Sequence, residues 1–366
     1  VFTLVEPYWK VLMSTPANKS VNDPAGKLLL DPFLERGRAI LECRYPIIAG
    51  AMTWISDHKL VAAIGEAGGF GQLAGGNAPA ELVRDEIIAT RGATDKPFGV
   101  NLITIAPNFQ SQLDLVCEME CGWITFAGAT PVRPDIARAK DSGARVFCFA
   151  PTESLALKLV DLGVDGLVLE GSEAGGHIGP VALNVLLQQI LFVVESVPIF
   201  VAGGIASGKM MAHLLMMGAA GIQMGTRFVL SDECCAHPAF KESFKRARAR
   251  DAMATPQFDS RLPVVPVRAL KNSGTLEFGK LQYELLHKLD NGLIDRDTAQ
   301  MEVEKFWVGA LRTAVVDGDV KRGSLMAGQS VGLVNEIKPI IEIIQEFVRD
   351  AEGTLRELND KFCSGS

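Results

Sequence analysis

Between residues 45 and 228 the chain alternates short apolar runs with longer amphipathic stretches. The apolar runs fall at 46–49, 69–73, 98–102, 123–126, 145–149, 166–169, 198–201 and 221–224. The stretches between them, 60–67, 80–91, 109–120, 135–142, 154–162 and 209–217, carry apolar residues at helical spacing and end at glycine or a charged turn. Strand-like runs that alternate with helices imply a parallel sheet, because each parallel strand needs a crossover. Eight repeats predict closure into a (β/α)8 TIM barrel of the α/β class.

The alternation stops after Phe228. Residues 229–322 are rich in charge and show helical spacing over 240–250, 276–289 and 295–314, with no strand-like alternation. They predict a helical substrate or lid domain inserted after the eighth strand. A glycine-rich turn over 323–334 then leads into a helix over 335–351, and the last dozen residues read as a polar tail. The first 39 residues are punctuated by polar residues, Pro and Gly, and are expected to pack over or trail from the barrel with one short helix. The expected organisation is therefore an extension over 1–39, a barrel over 40–228, the helical insertion over 229–322, and a return segment with C-terminal helix over 323–366.

A length of 366 residues suits a barrel of about 250 residues plus an insertion. The net charge of −7 argues against nucleic acid or an anionic membrane as partner, since both need a basic face. No run of about 18 apolar residues is present, so a membrane span is not expected. The most apolar stretch, 181–194, is interrupted by Asn184, Gln188 and Gln189 and reads as a buried helix. The first 39 residues hold no basic segment followed by an apolar core, so no secretory signal is expected. Seven cysteines include no CxxC and no second ligand pair, which predicts buried free thiols in a reducing, cytoplasmic setting and no metal site.

Barrel active sites collect in the loops after the strands. After the sixth run comes Glu170-Gly-Ser-Glu173-Ala-Gly175-Gly176-His177-Ile-Gly179, after the seventh Ala202-Gly203-Gly204-Ile205, and after the eighth Met224-Gly225-Thr226-Arg227-Phe228. Each segment alone reads as a turn. Three glycine-dense loops on one face predict a bound phosphate ester, since loops after strands seven and eight form the usual barrel phosphate site. Among five histidines only His177 lies in such a loop; His58, His213, His237 and His287 read as helix, surface or lid residues. A histidine titrating near neutrality suits proton transfer or ligand contact there. Glu170, at a strand end, is expected to accept hydrogen bonds from a cofactor hydroxyl or neighbouring amides. Glu173 suits either a paired-carboxylate role or a solvated loop.

Residues 170–179 resemble the signature of the nitronate monooxygenase (2-nitropropane dioxygenase) superfamily, with Ala202–Ile205, Gln223–Phe228 and Tyr45–Thr53 in the same order and spacing. The resemblance covers nearly everything from Ile40 to Glu346. It is closest to FMN-dependent enoyl-acyl-carrier-protein reductases of the FabK type, on the strength of Gly75-Gly-Asn-Ala-Pro79, Asp95-Lys-Pro-Phe-Gly-Val-Asn101, His237-Pro-Ala-Phe-Lys241, Val267-Arg-Ala-Leu-Lys-Asn272 and Ser324-Leu-Met-Ala-Gly-Gln329. The first 39 residues depart from that pattern. The resemblance implies FMN as cofactor, NADH or NADPH as co-substrate, and flavin contacts from Ala51, Met52, Asn101, Glu170, Gly175, Gly176, Gly203, Gly204, Gly225 and Thr226. It places His177 over the flavin and implies an acyl-thioester substrate on acyl carrier protein and a homodimer. Its alternatives are nitronate oxidation by oxygen and NAD(P)H:quinone reduction; outside redox chemistry, the barrel would bind a phosphate ligand.

Overall fold

Each of the eight apolar runs forms a strand whose ends fall within one residue of the expected ones. These are β1 (Ile47–Ala49), β2 (Phe70–Ala74), β3 (Phe98–Ile103), β4 (Trp123–Ala127), β5 (Arg145–Phe149), β6 (Gly166–Glu170), β8 (Ile199–Ala202) and β9 (Gly221–Met224), with a two-residue strand, β7 (Gly176–His177), between the last β6 residue and β8. The computed structural model describes residues 28–363 apart from 256, 257, 260, 261 and 263–265, without the side chains of 304 and 308. The eight strands are parallel and close into a barrel in the order β1-β2-β3-β4-β5-β6-β8-β9, with β9 pairing back onto β1 through Ile48 and Gln223. The fold is a (β/α)8 TIM barrel.

Helices α2 (His58–Glu66), α3 (Ala80–Ala93), α4 (Phe109–Glu118), α5 (Arg133–Asp141), α6 (Glu153–Leu162) and α8 (Gly208–Met216) connect the strands. Asp57, Thr152 and Ser207 cap three of them, each side chain accepting the amide three residues on, which satisfies a donor that the first turn leaves unpaired. The sixth connection differs from the buried helix expected over 181–194. A single turn, α7 (Leu183–Leu186), passes directly into a π-helical turn over Leu187–Leu191, and Phe192 and Val193 are exposed. The polar residues that interrupt the apolar run face outward, and apolarity alone does not reveal where a helix ends.

The barrel interior is filled by Ile48, Phe70, Phe147, Val168 and Phe200. Its amino end is sealed by Trp123 and by Leu41 from α1 (Asp31–Leu41), where the Trp123 indole donates to the Ile40 carbonyl at 2.8 Å. This helix belongs to the segment preceding the barrel; residues 1–27 lie outside the described residues. The Glu352 carboxylate, on the C-terminal helix α13 (Ile340–Cys363), accepts the Leu29 and Leu30 amides at 3.1 and 3.0 Å and anchors the approach to α1. The C-terminal helix runs past 351 and takes in most of the expected polar tail. Beyond Leu355 its residues are largely exposed, so the apolar spacing fades although the backbone stays helical.

After β9 follow α9 (Thr226–Val229), α10 (Pro238–Arg246), α11 (Ser273–Asp290) and α12 (Arg296–Val315). The last two pack around Phe278 and Trp307, whose ring centroids lie 4.3 Å apart, in a small core separate from the barrel's. Strands also occur here, where none was expected. β10 (Ala252–Ala254) and β11 (Val267–Leu270) form an antiparallel pair, and β11 pairs with β7 to give a three-stranded sheet. Strands of three and four residues are too short to show a period, and β11 takes its second partner, β7, from about 90 residues earlier in the chain. Among the described residues no helix is long and apolar enough to cross a membrane.

Candidate active site

A cavity of about 330 Å³ opens at the carboxyl end of the barrel strands, where barrel chemistry is usually placed. All eleven residues singled out in the sequence line it: Ala51 and Met52 after β1, Asn101 on β3, Glu170 at the end of β6, Gly175, Gly176 and His177 in the following loop, Gly203 and Gly204 after β8, and Gly225 and Thr226 after β9. The first loop is tied by Ser56, whose hydroxyl accepts the Met52 amide at 2.9 Å. Gly203 and Gly204 have φ of +95° and +70°, a conformation that residues with a Cβ rarely adopt, so this turn needs glycine at both positions. Gly175 is required for a different reason. A Cβ there would lie 2.5 Å from the Gly328 amide nitrogen, because the return segment passes directly over the loop.

Glu170 keeps some accessible surface because it lines the cavity, yet its carboxyl is enclosed by protein, and the lost solvation pushes it from 4.5 up to about 8. Among the described residues its carboxyl has no hydrogen-bond partner. Such a group fits a ligand that brings its own donors. Glu173 turns away from the cavity: its carboxylate accepts the Leu183 amide at 3.1 Å and its carbonyl accepts the Gln329 amide at 2.9 Å. Its role is to fix the loop and start α7.

His177 is exposed at the cavity wall, on β7, opposite Val267 of β11. The other four histidines lie elsewhere. His58 faces Glu86 at 3.1 Å, His213 contacts the Lys209 carbonyl, His237 accepts the Ala239 amide, and His287 sits beside Asn291. No disulfide joins the cysteines among the described residues; Cys121, Cys148 and Cys234 are buried as expected, whereas Cys235 and Cys363 are exposed. Burial holds the Cys43 and Cys148 thiols up near about 12, which keeps them protonated and unreactive at neutral pH.

Several lining residues were not assigned to the site from the sequence. Met326, Gly328 and Ser330 reach it from the return segment, where the Gly328 amide donates to the Thr226 hydroxyl at 3.0 Å. Their local signals were the glycine-rich turn over 323–334 and the FabK-like stretch Ser324–Gln329, neither of which tied them to the cavity. Gln223 is buried at the barrel mouth and accepts weakly from the Gln72 amide at 3.5 Å; a glutamine inside an apolar strand run was a readable sign of it. Arg227 lies between two cavity-facing residues in sequence but points away. It donates to the Leu230 and Glu336 carbonyls and fastens the return segment to the barrel.

The chain matches the family model described as nitronate monooxygenase over residues 35–110 and 103–350. It is similar to a (3aS,4S,5R,7aS)-5-hydroxy-7a-methyl-1-oxo-octahydro-1H-indene-4-carboxyl-CoA dehydrogenase of Mycobacterium tuberculosis, at 29% identity over 85% of this chain and 94% of the relative. It is also similar to a nitronate monooxygenase of Pseudomonas aeruginosa, at 30% identity over 63% and 83%. Among solved structures, FabK from Thermotoga maritima superposes with a TM-score of 0.78 at 36% identity, covering 89% of this chain and 98% of that one.

Proposed function

The chain belongs to the nitronate monooxygenase family and is an oxidoreductase of that flavin-dependent group, and from that premise we propose that it reduces an enoyl thioester with NADH or NADPH through bound FMN. The observation that carries this reading is the mixed lining of the cavity. Part of it is bare glycine backbone with an enclosed carboxyl that has no partner among the described residues; another part is apolar, with Ile103, Ile105, Phe149, Leu155, Leu311 and Met326. The first part fits a polar, phosphorylated cofactor and the second fits an acyl group. Support for a thioester comes from the FabK-type motifs, from the FabK neighbour and from the CoA-thioester relatives.

In this reading Gly203, Gly204, Gly225 and Thr226 hold the phosphate end of FMN, and Glu170 accepts from its hydroxyls. Ala51, Met52, Asn101, Gly175 and Gly176 shape the space around it. When bound, the flavin supplies hydride relay from the nicotinamide to the β-carbon of the enoyl group. An imidazole nitrogen of His177, or water it orders, gives the proton to the α-carbon, and the exposed ring is recharged from solvent. Acyl carrier protein or coenzyme A carries the thioester, and the working form is a homodimer. Anaerobic mixing of the NADPH-reduced holoenzyme with crotonyl-CoA tests the substrate. Rapid reoxidation supports the enoyl reading, whereas reoxidation by oxygen or a quinone alone replaces it with a quinone reductase. A protein that only a nitronate reduces is a nitronate monooxygenase.

A further inference from the structure

His177 does not sit on a free loop. Its strand, β7, is an edge of the three-stranded sheet, with His177 opposite Val267 and Gly176 opposite Arg268. The Ile178 amide extends the ladder to the Pro266 carbonyl at 2.9 Å. The far end of the loop that carries His177 is therefore stitched to the segment inserted after the barrel, while its start stays on the barrel, where the Gly171 amide donates to the Ala202 carbonyl of β8 at 3.1 Å.

The side chain at the centre of this sheet is Arg268. Its Nε and Nη2 both donate to the Ser172 carbonyl, at 3.0 and 2.9 Å, and its Nη1 donates to the Ala252 carbonyl at 2.6 Å. One guanidinium thus joins the start of the glycine-rich loop to β10, while the backbone of the same residue pairs with Gly176 and its carbonyl accepts the Ala327 amide at 3.3 Å. The charge is partly buried, and Glu173 nearby favours it against the lost solvation. Fork geometry of this kind fixes direction as well as distance, which lysine cannot reproduce.

We propose that Arg268 is the positioning residue for His177: it clamps Ser172 and β10 so that the five residues from Ser172 to Gly176 hold the imidazole at one place on the cavity wall. This rests on the proton-donor role given to His177 above. It assigns the inserted segment a part in catalysis through geometry, with no contact of its own to the reacting atoms.

A double-mutant cycle separates positioning from general stability. Reoxidation of the reduced holoenzyme by crotonyl-CoA is followed for the wild type, His177→Ala, Arg268→Ala, Arg268→Lys and the double variant. If the thioester does not reoxidise the flavin, the step followed instead is reduction of the oxidised holoenzyme by a nitronate under anaerobic conditions. Arg268→Ala is expected to keep its flavin and slow the step at least tenfold, with Arg268→Lys giving only partial recovery. In the His177→Ala background, Arg268→Ala should cost nothing further. The same fold loss in both backgrounds makes Arg268 a structural residue and overturns the proposal. If Arg268→Ala does not fold, the cycle is run with Arg268→Lys and read the same way. A slow His177→Ala beside an unaffected Arg268 variant overturns this inference alone. An unaffected His177→Ala overturns it together with the role of His177.

Discussion

His177 and Glu170 share one loop and one cavity, but the structure treats them differently. His177 stands exposed on an edge strand, open to proton exchange with solvent, whereas the Glu170 carboxyl is enclosed and held up near about 8. Replacing His177 with Ala should leave flavin absorbance in place and slow reoxidation by thioester roughly 10²-fold, the lower range for a positioned proton donor. Unchanged turnover would remove it from the chemistry. Glu170 makes a prediction about stability. Its carboxyl binds a proton in the folded chain up to about pH 8 but loses it near pH 4.5 when unfolded. Between those values the folded state holds more protons, so stability of the flavin-free protein falls as pH rises through this window. Denaturant midpoints at pH 5 and pH 8 should differ in the wild type and converge in Glu170→Gln; an unchanged difference would assign the slope to other groups.

Elements of the barrel were legible because a buried parallel strand is a continuous apolar run and the helix after it has an apolar face. All eight strands were placed on that basis. Part of the cavity lining was legible as well, in three glycine-dense loops after consecutive strands, whereas Ala51, Met52 and Asn101 came only through the family resemblance. The sheet formed by β7, β10 and β11 was not, because its strands are two to four residues long and its register is decided by contacts between distant segments. The same holds for Met326, Gly328 and Ser330, which enter the site from more than 95 residues beyond the last barrel strand. Their closeness has a measurable consequence at Gly175. A Cβ at that position meets the Gly328 nitrogen and the Ala327 backbone at 2.5–2.9 Å. Gly175→Ala should therefore cost about 1–3 kcal/mol, as overpacking does, and weaken flavin retention. Wild-type flavin content and melting temperature in that variant would show that the return segment gives way easily.

At the scale of the molecule, the chain outside the barrel serves both of its ends. At the amino end, α1 inserts Leu41, 1% exposed, among the aromatic residues that fill the barrel. Leu41→Ala should cost about 2–5 kcal/mol, because the space cannot be refilled by its neighbours, and it should leave the kinetics of the residual folded enzyme intact. A loss of activity without a loss of stability would contradict that separation. At the carboxyl end, the inserted segment contributes Leu311 to the cavity lining and the return segment passes over the glycine loop, bringing Met326 and Gly328. The most direct test is anaerobic stopped-flow on purified protein, recording flavin absorbance on mixing with NADPH or NADH and then with crotonyl-CoA. Bleaching by nucleotide followed by full recovery of the yellow colour on adding the thioester is the predicted result. Reduced flavin that crotonyl-CoA leaves bleached, or a protein that carries no flavin, would contradict it.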